Sequence, residues 1–176
     1  TAAMTPVERL AAKADGKQWE LVENQRGITY YKLFGPYLAG AKKIVVEDAY
    51  VRKPYQLRNL AEFLEMLLRC KNPDEDVAVH LVTGHNEPGF MEAQLDGLNE
   101  LASTFSQLGV NLTYEFRDTL HDRSITADTG WEILPGRGLD IFQKFVDGDW
   151  LNPLLRHQQL RRVKECKVTY QRVREK

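Results

Sequence analysis

An α/β fold with a largely parallel central sheet flanked by helices is what this sequence predicts, and two observations carry it. Between residues 43 and 116, apolar strand-like runs alternate with long amphipathic stretches, the pattern of strand–helix–strand units. The chain is 176 residues long. That fits one domain able to bury roughly 70% of its unfolded surface without disulfide or metal staples.

Thr5-Pro6-Val7-Glu8 opens the first helix: Thr5 can cap it, Pro6 suits the first turn and Glu8 completes a capping box. Gly16 is the expected stop. Ile28, Tyr31, Leu33, Phe34, Tyr37 and Leu38 give a helical stripe over 28–40. Ile44-Val45-Val46 predicts a strand buried on both faces. Pro54 opens a strong helix with Leu57, Leu60, Leu64, Leu67 and Leu68 on one face. Val77 to Val82 predicts a second buried strand, and Gly84 to Gly89 a loop. Met91, Leu95, Leu98, Phe105 and Leu108 mark another helix, stopped by Gly109. Val110, Leu112, Tyr114 and Phe116 alternate as a strand does. Strand-like runs follow at 141–146 and at Cys166, Val168 and Tyr170. Residues 1–26 are read as an N-terminal helix and lead-in, and 27–176 as the domain proper.

The net charge of -1 argues against a general polyanion binder, but the charge is uneven: residues 156–176 hold eight Lys/Arg against two Glu. That stretch suits either a solvated edge strand or a phosphate-contacting surface. Cys70 and Cys166 lack metal-ligand spacing, and no signal peptide or 18-residue apolar run is present. Free thiols in a cytoplasmic protein are expected, with no metal and no cofactor. A first residue other than Met suggests a domain of something longer.

The candidate chemistry lies at His121-Asp122-Arg123 and Asp128. This is the H-x-K-x-x-x-x-D spacing of phospholipase D-type phosphodiesterases with Arg123 in the Lys position. His121 could attack phosphorus or protonate a leaving oxygen, Arg123 could neutralise non-bridging oxygens, and Asp128 could orient the imidazole. A surface ion-pair cluster is the alternative. Glu47, Asp48 and Arg52 follow a predicted strand, where ligands of open α/β sheets bind, or form a turn before Pro54. Gly136-Arg137-Gly138 lacks the features of a P-loop, and its glycines suit positive φ. Trp131 is read as core or as the wall of a headgroup pocket. His80 is expected in the core as a hydrogen-bonded residue, and His85 and His157 are assigned no role.

Phe34-Gly35-Pro36-Tyr37-Leu38, Val46 to Arg52, Tyr55 to Leu60, His80-Leu81-Val82-Thr83, His121-Asp122-Arg123, Gly130-Trp131 and Gly138-Leu139-Asp140 occur in the order found in one family. From about Gly27 to Tyr170 the chain resembles the phospholipase D-like C-terminal domain of MIT-domain-containing proteins. The resemblance implies a phospholipase D-like fold, a homodimer, and binding of acidic membrane lipids without hydrolysis. It also implies an N-terminal MIT bundle, which residues 1–26 are too short to form. The wording of residues 31–60 and 130–143 resembles a bacterial branch attached to Lon-like ATPases of phage-defence (BREX-type) systems.

The combined expectation is a non-catalytic dimeric module, the C-terminal domain of a larger protein. It would hold an acidic lipid headgroup or a nucleic-acid backbone through His121, Arg123, Arg137, Arg52, Asp140 and Trp131. Its location would be cytoplasmic, peripheral at a membrane where lipid is the ligand. Alternatives are a docking or oligomerisation domain of a Lon-like defence ATPase, and a single-motif phosphodiesterase or nuclease using His121 with Arg123 and Asp128.

Overall fold

The structure, a computed structural model, describes residues 3–144 and 151–173. Its strands are β1 (Trp19–Leu21), β2 (Lys43–Glu47), β3 (Val77–Thr83), β4 (Val110–Phe116), β5 (Ser124–Ala127), β6 (Trp131–Pro135) and β7 (Cys166–Arg172). They form one sheet in the order β1-β7-β6-β5-β2-β3-β4. The helices are α1 (Pro6–Ala11), α2 (Tyr30–Leu38), α3 (Pro54–Cys70), α4 (Met91–Ser106) and the short α5 (Pro153–Arg156).

The expected strand–helix–strand units are present: β2–α3–β3 and β3–α4–β4 make parallel pairs. The sheet as a whole is not largely parallel, however. β2–β5, β5–β6, β6–β7 and β1–β7 are all antiparallel. The reason lies in connection length. Parallel neighbours need a crossover of a dozen or more residues, which α3 and α4 supply. From β5 to β6 only Asp128-Thr129-Gly130 intervenes, so the chain turns straight back, with Gly130 at φ +92°.

Helices accompany the sheet as expected. α1 packs on α2, α2 on α3 and α3 on α4, giving one contiguous layer. α4 comes close to α3 at Gly97, where a Cβ would lie 2.7 Å from Leu57 Cδ1. Ile44, Val46, Val77, Val79, Val110 and Leu112 point into the core, while Ala78, Asn111 and Thr113 are exposed. Val45, expected inside, is 38% exposed. His80 is likewise on the open face, hydrogen-bonded to Thr113 Oγ1 at 2.8 Å and Glu115 Oε1 at 3.0 Å, so it is paired but not core.

The capping box of α1 forms, with Glu8 N donating to Thr5 Oγ1 at 3.1 Å, but the helix ends at Ala11, short of Gly16. In α4, Leu98 and Phe105 are buried, whereas Leu95 is exposed, as is Leu108 just beyond the helix end at Ser106. The strand expected at 141–146 is reduced to a single bridge, Phe142 to Val163, and residues 145–146 lie outside the described residues. No helix among the described residues is long and apolar enough to cross a membrane.

Candidate functional site

Asp48 is the first residue beyond β2 and is 2% exposed. Its two carboxylate oxygens are both used: Oδ1 accepts from Tyr50 N at 3.0 Å and Oδ2 from Leu139 N at 3.1 Å. Burial pushes its pKa up, while those two N–H donors and the nearby Arg123 guanidinium pull it down. Leu139 is pinned from the other side as well, because the fully buried Tyr30 hydroxyl donates to its carbonyl. The preceding Gly138 has φ +62°, and a Cβ there would fall 2.2 Å from Asp48 Oδ2. Glycine is therefore required on both conformational and steric grounds. The Gly138-Leu139-Asp140 turn is thus fixed against the end of β2.

The loop from Asp48 to Lys53 is held in the same manner. Val51 N donates to the buried Thr83 hydroxyl at 3.1 Å, and the Val51 carbonyl accepts from Gln94 Nε2 at 3.0 Å. Gln56 Oε1 accepts from both Arg52 N (3.1 Å) and Lys53 N (3.0 Å). Asn86 Nδ2 donates to the Arg52 carbonyl at 3.2 Å. Thr83, Gln94 and Gln56 are all buried. Buried polar side chains so placed leave the loop little freedom and make it a rigid platform.

On this platform two cations converge. The Arg52 guanidinium lies 4.7 Å from the Tyr50 ring centre and that of Arg123 lies 4.9 Å from it. Arg52 Nη1 also donates to the His85 carbonyl at 3.1 Å. With Lys53, Tyr55 and Asp140 these residues line a cleft of about 340 Å³. The positive end of the α3 dipole opens onto it, Lys53 being the N-cap. Asp140, the one carboxylate among the lining residues, is offset by Lys164 Nζ at 3.1 Å. The cleft is therefore net positive and suited to an anion with several oxygens.

Of the residues expected from sequence, Arg52, Arg123 and Asp140 come together in this cleft. The others do not. His121 precedes β5 in an exposed position and makes no hydrogen bond among the described residues. Asp128 lies at the far end of β5, where Oδ1 accepts from Lys42 N at 3.0 Å. The His121-to-Asp128 spacing therefore does not converge on one point. Trp131 is at that far end too, edge-on to Tyr37 at 4.9 Å and beneath Arg172 at 4.0 Å. Arg137 turns the opposite way, its Nε donating to the Glu165 carbonyl at 2.9 Å. Tyr50, Lys53 and Tyr55 are not singled out by the sequence, and Asp48 is left there between a ligand-site residue and a turn residue. The signal that was available is the pair Gln56 and Gln94, polar residues on the inward faces of two amphipathic helices.

The chain belongs to a family of phospholipase D-like domains. Residues 27–172 match the phospholipase D-like domain at the C-terminus of MIT. It is 38% identical over 136 residues to the MIT domain-containing protein 1 of Mus musculus, an alignment covering 75% of this chain and 54% of that relative. The chain thus spans about half the length of the curated relative. Neither comparison bears on the bacterial Lon-associated branch.

Proposed function

We propose that this domain binds a phosphate-bearing ligand in the Arg52–Arg123 cleft without cleaving it, as a homodimer and as one part of a longer protein. The observation that carries the reading is the convergence of two guanidiniums on Tyr50 from a loop whose backbone is held by buried side chains. Like charges held near one ring repel, and an anion placed between them relieves that repulsion. Acidic lipid headgroups and nucleic-acid backbones both present such an anion.

The arrangement of the motif supports the non-catalytic reading. Phosphoryl transfer through a histidine needs an oriented imidazole and a second group to protonate the leaving oxygen. Asp128 is bonded at the opposite end of β5 and cannot orient His121. Arg123 in place of Lys still binds phosphate, so affinity survives without chemistry. The homodimer reading rests on the single motif per chain, half of what two-fold phospholipase D-type enzymes use.

The test compares sedimentation with acidic and neutral vesicles and retention of single-stranded oligonucleotides. Each is run at low and high salt, for the natural chain and the Arg52→Ala, Arg123→Ala double variant. Binding in at least one arm should weaken with salt and fall by tenfold or more in the variant. Equal binding by both proteins would remove the cleft from the reading. Hydrolysis of a phosphodiester that disappears in His121→Ala would replace it with an enzyme.

A further inference from the structure

The cationic cleft does not end at Lys53 and Tyr55. The same two residues line a second opening of about 500 Å³, which continues past Asn86 and Glu87 to Phe90 and Lys144. We propose that the phosphate ligand is a nucleoside phosphate, its base lying between Tyr55 and Phe90 while its phosphate meets Arg52 and Arg123. This rests on the reading of the cleft given above and adds the substrate class.

Three observations favour a base over any other substituent. Phe90 lies on the Pro88–Phe90 turn and is 59% exposed, an apolar ring left largely open to solvent at the edge of this opening. Tyr55, which lines the same opening, is half-buried and carries Lys144 Nζ 5.0 Å from its ring centre, so the opening holds a second aromatic already paired with a cation. Cations interleaved with aromatic rings form the usual platform for unpaired bases. The rim chemistry points the same way. An acyl chain filling this opening would take Lys53, Glu87 and Lys144 out of water with nothing to bond them. A base has a polar edge, and Glu87 is an exposed carboxylate that can accept from ring or amino N–H groups. The two halves of the site are also tied together. Asn86 Oδ1 accepts from Glu87 N at 2.9 Å, and Asn86 Nδ2 donates to the Arg52 carbonyl at 3.2 Å, so the base-side loop and the phosphate-side loop are one unit.

The experiment measures the affinity of the full chain for inorganic phosphate, glycerol phosphate, AMP, GMP and a short-chain phosphatidic acid by calorimetry at fixed ionic strength. Both nucleotides should bind at least about fivefold tighter than phosphate or glycerol phosphate. That preference should collapse to about one in Phe90→Ala, with circular dichroism reporting an intact fold. Equal affinities across the set, or a nucleotide preference that survives Phe90→Ala, would overturn the proposal. So would tighter binding of the phosphatidic acid than of either nucleotide, which would assign the opening to lipid. The two readings fail separately. Phosphate binding lost in Arg52→Ala, Arg123→Ala keeps the cleft and leaves only the base in question. Phosphate binding indifferent to that pair removes both.

Discussion

Asp48 and Asp128 occupy opposite ends of the β2–β5 pair, and their surroundings could hardly differ more. Asp128 is exposed, and its side chain makes one hydrogen bond among the described residues, accepting from Lys42 N, of the kind that closes any strand end. Asp48 is buried and grips two separate segments, Tyr50 on its own loop and Leu139 on the turn after β6. Sequence spacing singles out Asp128, because it stands at the motif distance from His121. Burial and hydrogen bonding single out Asp48. The difference teaches that a short motif marks a neighbourhood, here the strand beginning near Arg123, while the residue that builds the site arrives from another part of the chain.

The contrast can be broken most directly by truncating both aspartates. Asp48→Ala leaves Tyr50 N and Leu139 N buried without acceptors, at a cost of about 2–4 kcal/mol in urea unfolding. Asp128→Ala should cost less than about 1 kcal/mol, since water replaces its one exposed bond. Equal losses at the two positions would contradict the comparison. Gly138→Ala tests the same point from the opposite partner. Its φ of +62° and the 2.2 Å approach to Asp48 Oδ2 predict a loss of about 1–3 kcal/mol. The corresponding change at Gly27, also at positive φ but with open space around its Cβ, should cost less.

A smaller effect sharpens the picture through pH. Asp118 and Glu115 at the β4 end accept hydrogen bonds from His85 and His80, which hold both carboxyls below their ordinary values of 3.8 and 4.5. Groups depressed in the folded state contribute stability above their unfolded pKa and lose it as pH falls through the folded one. For Asp118 the larger cause is the His85 backbone N–H, which His85→Ala keeps, so that variant should flatten only the part of the acid limb of a stability–pH curve that the imidazole contributes. Asp48 works in the opposite sense, because burial raises its pKa and the protonated form is the one the fold favours. An acid limb unchanged in His85→Ala would mean that the imidazole adds nothing to what the backbone N–H already gives Asp118.

Much of the helical layer and the parallel half of the sheet is legible in the sequence. The Thr5–Glu8 box, the stripe of α3 and the alternation of β4 are local patterns, and local patterns survive folding. Strand direction is not local. β5 and β6 are short, and their antiparallel pairing depends on a three-residue turn that reads from sequence only as a polar loop. Arg52 is legible as a candidate from its place just past a predicted strand, Arg123 from the His-x-Lys-type spacing, and Asp140 only from the Gly138-Leu139-Asp140 element of the resemblance. Asp48 was not legible as the organiser, because its partner Leu139 lies 91 residues away. Gln94 carried a readable hint, four residues before Leu98 on the buried face of α4, since a polar residue there needs a backbone partner.

The proposed anion site is the Arg52–Arg123 cleft built on Asp48, not the His121–Asp128 spacing or Arg137. A titration of the ¹⁵N-labelled chain with inorganic phosphate, followed by amide chemical shifts, tests it most directly. Saturable shifts should centre on residues 50–53 and 138–140 and vanish in the Arg52→Ala, Arg123→Ala variant while surviving in Arg137→Ala. Shifts centred on His121, Asp128 or Arg137, or undiminished by loss of the two arginines, would contradict the account.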